Sequence, residues 1–276
     1  MSHDEQTQGP ESRADGEGRI PRHPYTLAID IGGTGLKASV LDADGAMVAD
    51  RVKVPTTYPL PPDKLVATLT RLAAPLPKAE RIAVGFPGMV RDGHVLSAPH
   101  FSTKSGPGSA VDDDLKQLWW RFDLAAALTG SFGLPTKVAN DADIQGAAVV
   151  TGTGLELAIT LGTGFGTGLF YEGKLMPHLE IAHQPFRKGE TYNEQLGEAA
   201  RKDIGEERWN KRVHKAIANL RALMFFDHLY IGGGNSRRLK RDGLDDDVTI
   251  VDNTAGILGG IKLWESDHVG VNQPAG

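Results

Sequence analysis

Apolar runs begin at Tyr25, and their spacing predicts the order of elements. YTLAIDI, closed by GGTG, is a buried strand; LKASVLD and MVADRVKV follow it across Gly-containing turns, so the chain opens an antiparallel sheet. From Lys64, KLVATLTRLAA sets Leu65, Leu69 and Leu72 on one helical face. RIAVGF from Arg81 is a buried strand. The segment from Asp112, DDDLKQLWWRFDLAAALTGSF, reads mostly as helix. PTKVAN from Pro135 is another strand, with a helix starting near Asp141.

The second half repeats this plan in pattern, not in residue identity. LELAITL is a strand, GTGFGTG a glycine turn, and GLFYEGKL continues the sheet. From Glu207, a long helix sets Trp209, Val213, Ile217, Leu220 and Met224 on one face. DHLYI is a strand running into GGGNS, VTIV a short strand and NTAGILGGIKLW a last helix. The expected organisation is a polar tail over 1–24, one α/β domain over 25–139, a second over 140–265 whose last helix packs back on the first, and a tail over 266–276.

Charge and composition exclude several classes. With 30 Lys and Arg against 35 Asp and Glu, the net charge of −5 disfavours a nucleic-acid or anionic-membrane partner. No stretch approaches the roughly 20 apolar residues of a membrane span, and the N-terminus lacks the apolar core of a signal peptide. The expected location is the cytoplasm. The absence of cysteine removes disulfides and thiolate zinc sites, so no zinc site is expected.

The candidate chemistry lies in three glycine turns and one acid. In DIGGTGLK, Gly32, Gly33 and Gly35 bare the backbone N–H groups around Thr34, which suits phosphate oxygens. Asp30 at the strand end could hold a hydrated Mg²⁺ beside that phosphate; an ordinary hairpin explains the same glycines. LGTGFGTG places Gly162, Gly164, Gly166 and Gly168 at alternate positions with Thr163 and Thr167 among them; glycine packs nothing in a strand, which suggests that something approaches its backbone closely, and a flexible Gly/Thr loop explains the same glycines. Gly232, Gly233 and Gly234 suit a nucleotide laid against the backbone, or simply a tight strand-to-helix turn. Asn140 and Asp141 end a buried strand. A carboxylate there could accept the proton of an alcohol attacking a phosphoryl group, or cap the helix.

In this order, DIGGTGLK, VGFPGMV, NDAD, LGTGFGTG, LEIAH, DHLYIGGGN and NTAGILGG resemble the ROK family (repressors, open reading frames, kinases) of the hexokinase/actin superfamily, nearest its polyphosphate glucokinase-like branch. The resemblance covers about residues 25–264 and implies the two-domain actin-like ATPase (ribonuclease H-like) fold. It also implies a Mg²⁺-dependent kinase carrying a phosphoryl group from ATP or polyphosphate to a hexose hydroxyl, glucose 6-OH foremost. By resemblance Asp141 is the general base, Asn140, Glu180 and His183 bind the sugar, and Glu190 or Glu194, with Glu190 preferred, adds a carboxylate. Asp30, Gly32, Gly33, Thr34, Gly35, Lys37, Gly162, Thr163, Gly164, Gly166 and the 232–234 glycines face the donor. A homodimer is the family expectation.

The chain departs from the family's E-x-G-H at Ala182, and has His100 where many members place a sugar-contacting Asn. A catalytically silent sugar sensor and an actin-like assembling protein are the alternatives. The first 24 residues are too few for the helix-turn-helix of family repressors. The runs at Asp112 and Asp245 suit helix capping and a solvated turn, and SRRLKR a solvated face or a phosphate-neutralising one.

Overall fold

A computed structural model describes residues 22–251 and 259–265; the expected tails up to residue 21 and from residue 266, and the NTAGIL part of the last helix, lie outside them. Residues 22–24 of the expected N-terminal tail are tied down, with the Ala43 N–H donating to the Arg22 carbonyl at 2.7 Å.

In chain order the first half comprises β1 (Thr26–Ile31), β2 (Gly35–Leu41), β3 (Val52–Pro55), α1 (Pro62–Ala73), β4 (Arg81–Phe86), β5 (Val90–Arg91), β6 (His94–Val95), α2 (Asp113–Trp119), β7 (Phe122–Asp123), α3 (Leu124–Phe132), β8 (Thr136–Asn140) and α4 (Asp141–Ala147). The expected long helix from Asp112 is thus two helices. Arg121 turns the chain at φ 59°, and Asp123 starts α3 afresh by accepting the Ala126 N–H at 2.8 Å. The second half comprises β9 (Leu155–Leu161), β10 (Phe165–Tyr171), β11 (Lys174–Leu175), β12 (Pro185–Arg187), β13 (Glu190–Thr191), α5 (Tyr192–Leu196), α6 (Glu198–Ile204), α7 (Glu206–Met224), β14 (His228–Gly232), β15 (Val248–Ile250) and α8 (Gly259–Lys262).

Two five-stranded sheets share one topology. The first runs β3-β2-β1-β4-β8 and the second β11-β10-β9-β14-β15. In each, the opening strands pair antiparallel, and the next two join in parallel. The loose repeat of the sequence is therefore a repeat of strand order and sense. One core, including Leu65, Leu69, Val84 and Leu128, lies where the first sheet meets α1 and α3; another, with Trp209, Val213, Leu220 and Leu229, lies under α7.

The third core, with Ala83, Ala139, Ile144, Ala158 and Phe170, surrounds α4, which touches strands of both sheets and α8. Small residues make this possible. A Cβ on Gly146 would come within 2.6 Å of the Phe170 ring, one on Gly166 within 2.8 Å of the Ala142 Cβ, and one on Gly168 within 3.2 Å of the Asp143 Cα. The body that approaches the alternating glycines is, at Gly166 and Gly168, helix α4. Close packing of this kind leaves no slack for a methyl group. The described end of the last helix lies against the first sheet: Gly260 lies against Ala28 and Ala83, and the buried Lys137 ammonium donates to the Leu263 carbonyl at 2.9 Å.

Candidate active site

The parallel strands β1, β4 and β8 deliver Asp30 and Asn140 at or near their C-terminal ends, with Asp141 directly beyond, the usual place for a ligand site in an α/β sheet. Asn140 is the N-cap of α4: its side-chain carbonyl accepts the Ala142 N–H at 2.8 Å, and its amide donates to the Gly88 carbonyl at 2.9 Å. These two bonds use one of the two lone pairs of its side-chain carbonyl and one of its two amide hydrogens. Asp141 follows as the first residue of the helix. Burial, and then the neighbouring charge of Asp30, push its carboxyl from 3.8 up to about 6; Asp143 and Glu180 add to the effect.

Asp30 and Lys37 are partners across the β1–β2 ladder and form an ion pair at 2.8 Å. With Asp141, Arg51, Ser39 and Gln145 they line a cavity of about 640 Å³. Two cations and two carboxylates thus face one space. Glycine at position 85, beside Asp30 in register, keeps its wall low; a Cβ there would meet the Asp141 Cα at 3.8 Å.

In the first turn, protein groups hold the carbonyls. Thr56 donates its hydroxyl to Gly32 and its N–H to Thr34, at 2.7 and 3.2 Å, and the Tyr58 hydroxyl donates to Gly33 at 2.7 Å. The Gly32 N–H donates to the Gly35 carbonyl at 3.0 Å. His100 and Pro107 lie over the turn: a Cβ on Gly33 would meet the His100 ring at 3.3 Å. Burial lowers the His100 pKa, which favours its neutral form. The long segment after His100 therefore covers the first glycine turn.

The second and third turns meet. Asn235 donates its N–H to the Leu161 carbonyl at 2.8 Å and its side-chain amide to Gly162 at 3.1 Å. The Glu198 N–H donates to the carbonyls of Gly162 and Thr163. Gly164 abuts the Asn193 side chain, which accepts the Phe165 N–H. Gly233 has φ +88°, and a Cβ there would fall 2.4 Å from the Leu161 carbonyl oxygen, so only glycine fits. Gly162 and Gly234 have open space where a side chain would be, and Gly232 has Val251 at 3.4 Å.

Glu180 precedes a short 3₁₀ turn, Ile181–His183. Ala182, at the departure from the family pattern, is buried in the second core with Ile181. His183 is exposed and stays close enough to help lower the Glu180 pKa. Of the two later carboxylates, Glu194 forms a reciprocal capping box with Thr191, at 2.8 Å and 3.2 Å. Glu190 accepts from the Gln195 side chain. Sequence reasoning missed two further residues. Asp143 and His178, 35 positions apart, form a buried pair in which Nδ1 lies 3.0 and 2.9 Å from the two carboxylate oxygens; its Nε2 faces Glu180 at 3.7 Å.

Among solved structures, an inorganic polyphosphate/ATP-glucomannokinase from Arthrobacter sp. strain KM superposes with a TM-score of 0.69 at 27% identity, covering 87% of this chain and 97% of that one. Fold and site together define a phosphotransferase of the actin-like class. Residues 26–178 match the ROK family, and the chain belongs to it. The polyphosphate glucokinase of Mycobacterium tuberculosis is 27% identical across 94% of this chain and 97% of its own length. An N-acetylmannosamine kinase of Escherichia fergusonii is 37% identical over 159 residues, 55% of this chain and 49% of its own. Among the described residues, no helix is long and apolar enough to cross a membrane.

Proposed function

We propose that the protein transfers a phosphoryl group from ATP or inorganic polyphosphate to a hexose hydroxyl, with glucose 6-OH the first acceptor to test. The observation that carries this is Asp141: a carboxylate fixed at a helix N-terminus, with its pKa brought to about 6, beside a cavity that also holds Asp30, Lys37 and Arg51. Near neutral pH such a group is ionised yet basic enough to accept a proton as the sugar oxygen attacks. The sugar O–H proton passes to Asp141, the new O–P bond forms, and the bond to the donor's leaving phosphate breaks. The names of the relatives supply the donor and acceptor classes.

In this scheme the first sheet, to residue 139, and the second, over 140–265, form two lobes. Backbone N–H groups of the first and second glycine turns other than those of Gly32, Gly162 and Phe165, which donate within the protein, bind the donor phosphates, Lys37 and Arg51 balance their charge, and the opening at Gly234 takes the nucleotide when ATP is the donor. Asn140, Glu180, His183 and Glu190 hold the sugar; the commitment of Glu194 to its capping box favours Glu190. Among the described residues no three His, Asp or Glu converge as a metal cage. Mg²⁺ would be held through water by Asp30 and by the donor itself, where the ion would neutralise phosphate charge.

The test is product formation by the purified protein with Mg²⁺, crossing ATP and polyphosphate against glucose, mannose, glucosamine and N-acetylated sugars. The expected result is a sugar phosphate that disappears in Asp141→Asn. Sugar binding by calorimetry with no product from any pair would overturn the proposal and favour the silent sensor.

A further inference from the structure

The Asp143–His178 pair contacts neither sugar nor donor in the scheme above, yet it is built at high cost. The two side chains are 3% and 4% exposed, and a buried charge persists only when paired. Burial pushes the Asp143 carboxyl up, while the His178 contact favours its ionised form; as a carboxylate paired with an imidazolium it only accepts, so Nδ1 donates to Asp143. The ring is thereby fixed from α4, the helix that also presents Asp141. Its other nitrogen, Nε2, is buried without a hydrogen-bond partner and lies 3.7 Å from the Glu180 Oε2. That separation is an ion-pair distance, longer than a hydrogen bond. A cavity of about 350 Å³, lined in part by Val90, Arg91, Asp92 and Val138, flanks the pair. The ring's orientation therefore rests on Asp143 more than on close packing.

We propose that His178 is a positioning residue for the acceptor site: anchored by Asp143, its imidazolium holds the Glu180 carboxylate ionised and aimed at the sugar. This rests on the sugar-binding role given above to Glu180. Burial acts to depress His178, but the contacts with Asp143 and Glu180 outweigh it and raise its pKa to about 10. On the other side of the contact, His178 is the chief cause holding Glu180 below the ordinary carboxylate range, against burial and with help from His183. The charge has a second effect. Asp143 and Glu180 both repel the ionised Asp141, and the imidazolium between them offsets part of that repulsion. The titratable groups facing His178 or lining the adjoining cavity are Asp143 of α4, Glu180 before the 3₁₀ turn, and Arg91 and Asp92 at the β5–β6 turn.

The experiment follows the Glu180 side-chain carboxyl by ¹³C NMR titration in the full chain, alongside the sugar KM and kcat. The variants are His178→Gln and Asp143→Asn/His178→Gln. The double variant leaves no unpaired buried charge, so it supplies a folded protein if the single variant is unstable. In both, Glu180 is expected to titrate about one pH unit or more higher, and the sugar KM to rise about tenfold or more with a smaller change in kcat. The double variant regains melting temperature without regaining KM. An unchanged Glu180 titration, or a double variant that returns KM to wild type along with stability, would overturn the proposal, since the pair would then serve packing alone. The titration needs no turnover, so it decides the role of His178 even if the wild type phosphorylates no sugar, an outcome that strikes only the kinase proposal.

Discussion

Replacing Asp141 by Asn should remove activity and add stability, with the second effect dependent on pH. A displacement from 3.8 to about 6, at about 1.4 kcal/mol per pH unit, means that ionised Asp141 costs the fold about 3 kcal/mol at pH 8. Below pH 3.8 the carboxyl is protonated in the folded and unfolded chain alike and the cost is absent. It grows as pH rises from about 4 to 6 and is constant above. Asn carries no charge at any pH, so the variant gains about 3 kcal/mol over wild type at pH 8 and about half of that at pH 5. Urea unfolding of both proteins at the two pH values measures it. Above about pH 6 transfer should fall by about 10²- to 10⁴-fold; below it wild-type kcat/KM declines tenfold per pH unit and the gap to the variant narrows. A variant no more stable than wild type at pH 8, or a gain equal at pH 5 and pH 8, would refute the claim that desolvation and like charge set this carboxyl.

The remaining predictions concern packing and capping. Gly146→Ala forces a methyl group to within 2.6 Å of Phe170 and should cost about 1–3 kcal/mol in denaturant unfolding; an unchanged midpoint would show that α4 has slack between the sheets. Glu194→Gln weakens the charged arm of the capping box at Thr191 and should lower stability by about 1 kcal/mol or less with the sugar KM intact. Glu190→Gln should do the reverse, and steady-state kinetics with thermal melts separates the two.

Much of the fold was legible because its central strands are buried. LELAITL and RIAVGF coincide with β9 and β4, whose residues are almost all enclosed, and continuous apolar runs mark such strands. The face of α7 announced itself through Trp209, Val213, Ile217 and Leu220, all buried. The break between α2 and α3 did not, because Trp119 and Phe122 continue the apolar pattern while the backbone reverses at Arg121. Strands of two residues, such as β5 and β6, are too short to leave a period.

The site was legible where it is local. The strand-end Asp141 and the glycine turns are contiguous strings, whereas the Asp143–His178 contact joins 35 intervening steps of chain. A lone histidine in PHLE and a second aspartate in NDAD carry no mark of one another. The glycines of LGTGFGTG announced a close approach, but not that a helix makes it at two of the four positions.

Helix α4 is wedged between the two sheets, in contact with β4 and β8 on one side and β9 and β10 on the other. Any rocking of one sheet against the other must turn about this helix or tear it from its glycine seats. A group on a pivot has almost no lever arm, so in such a rocking Asp141, at the helix end, would travel least. In the proposed kinase this would separate two duties that usually conflict: walls that swing for ligands, and a base at Asp141 that keeps a stationary address.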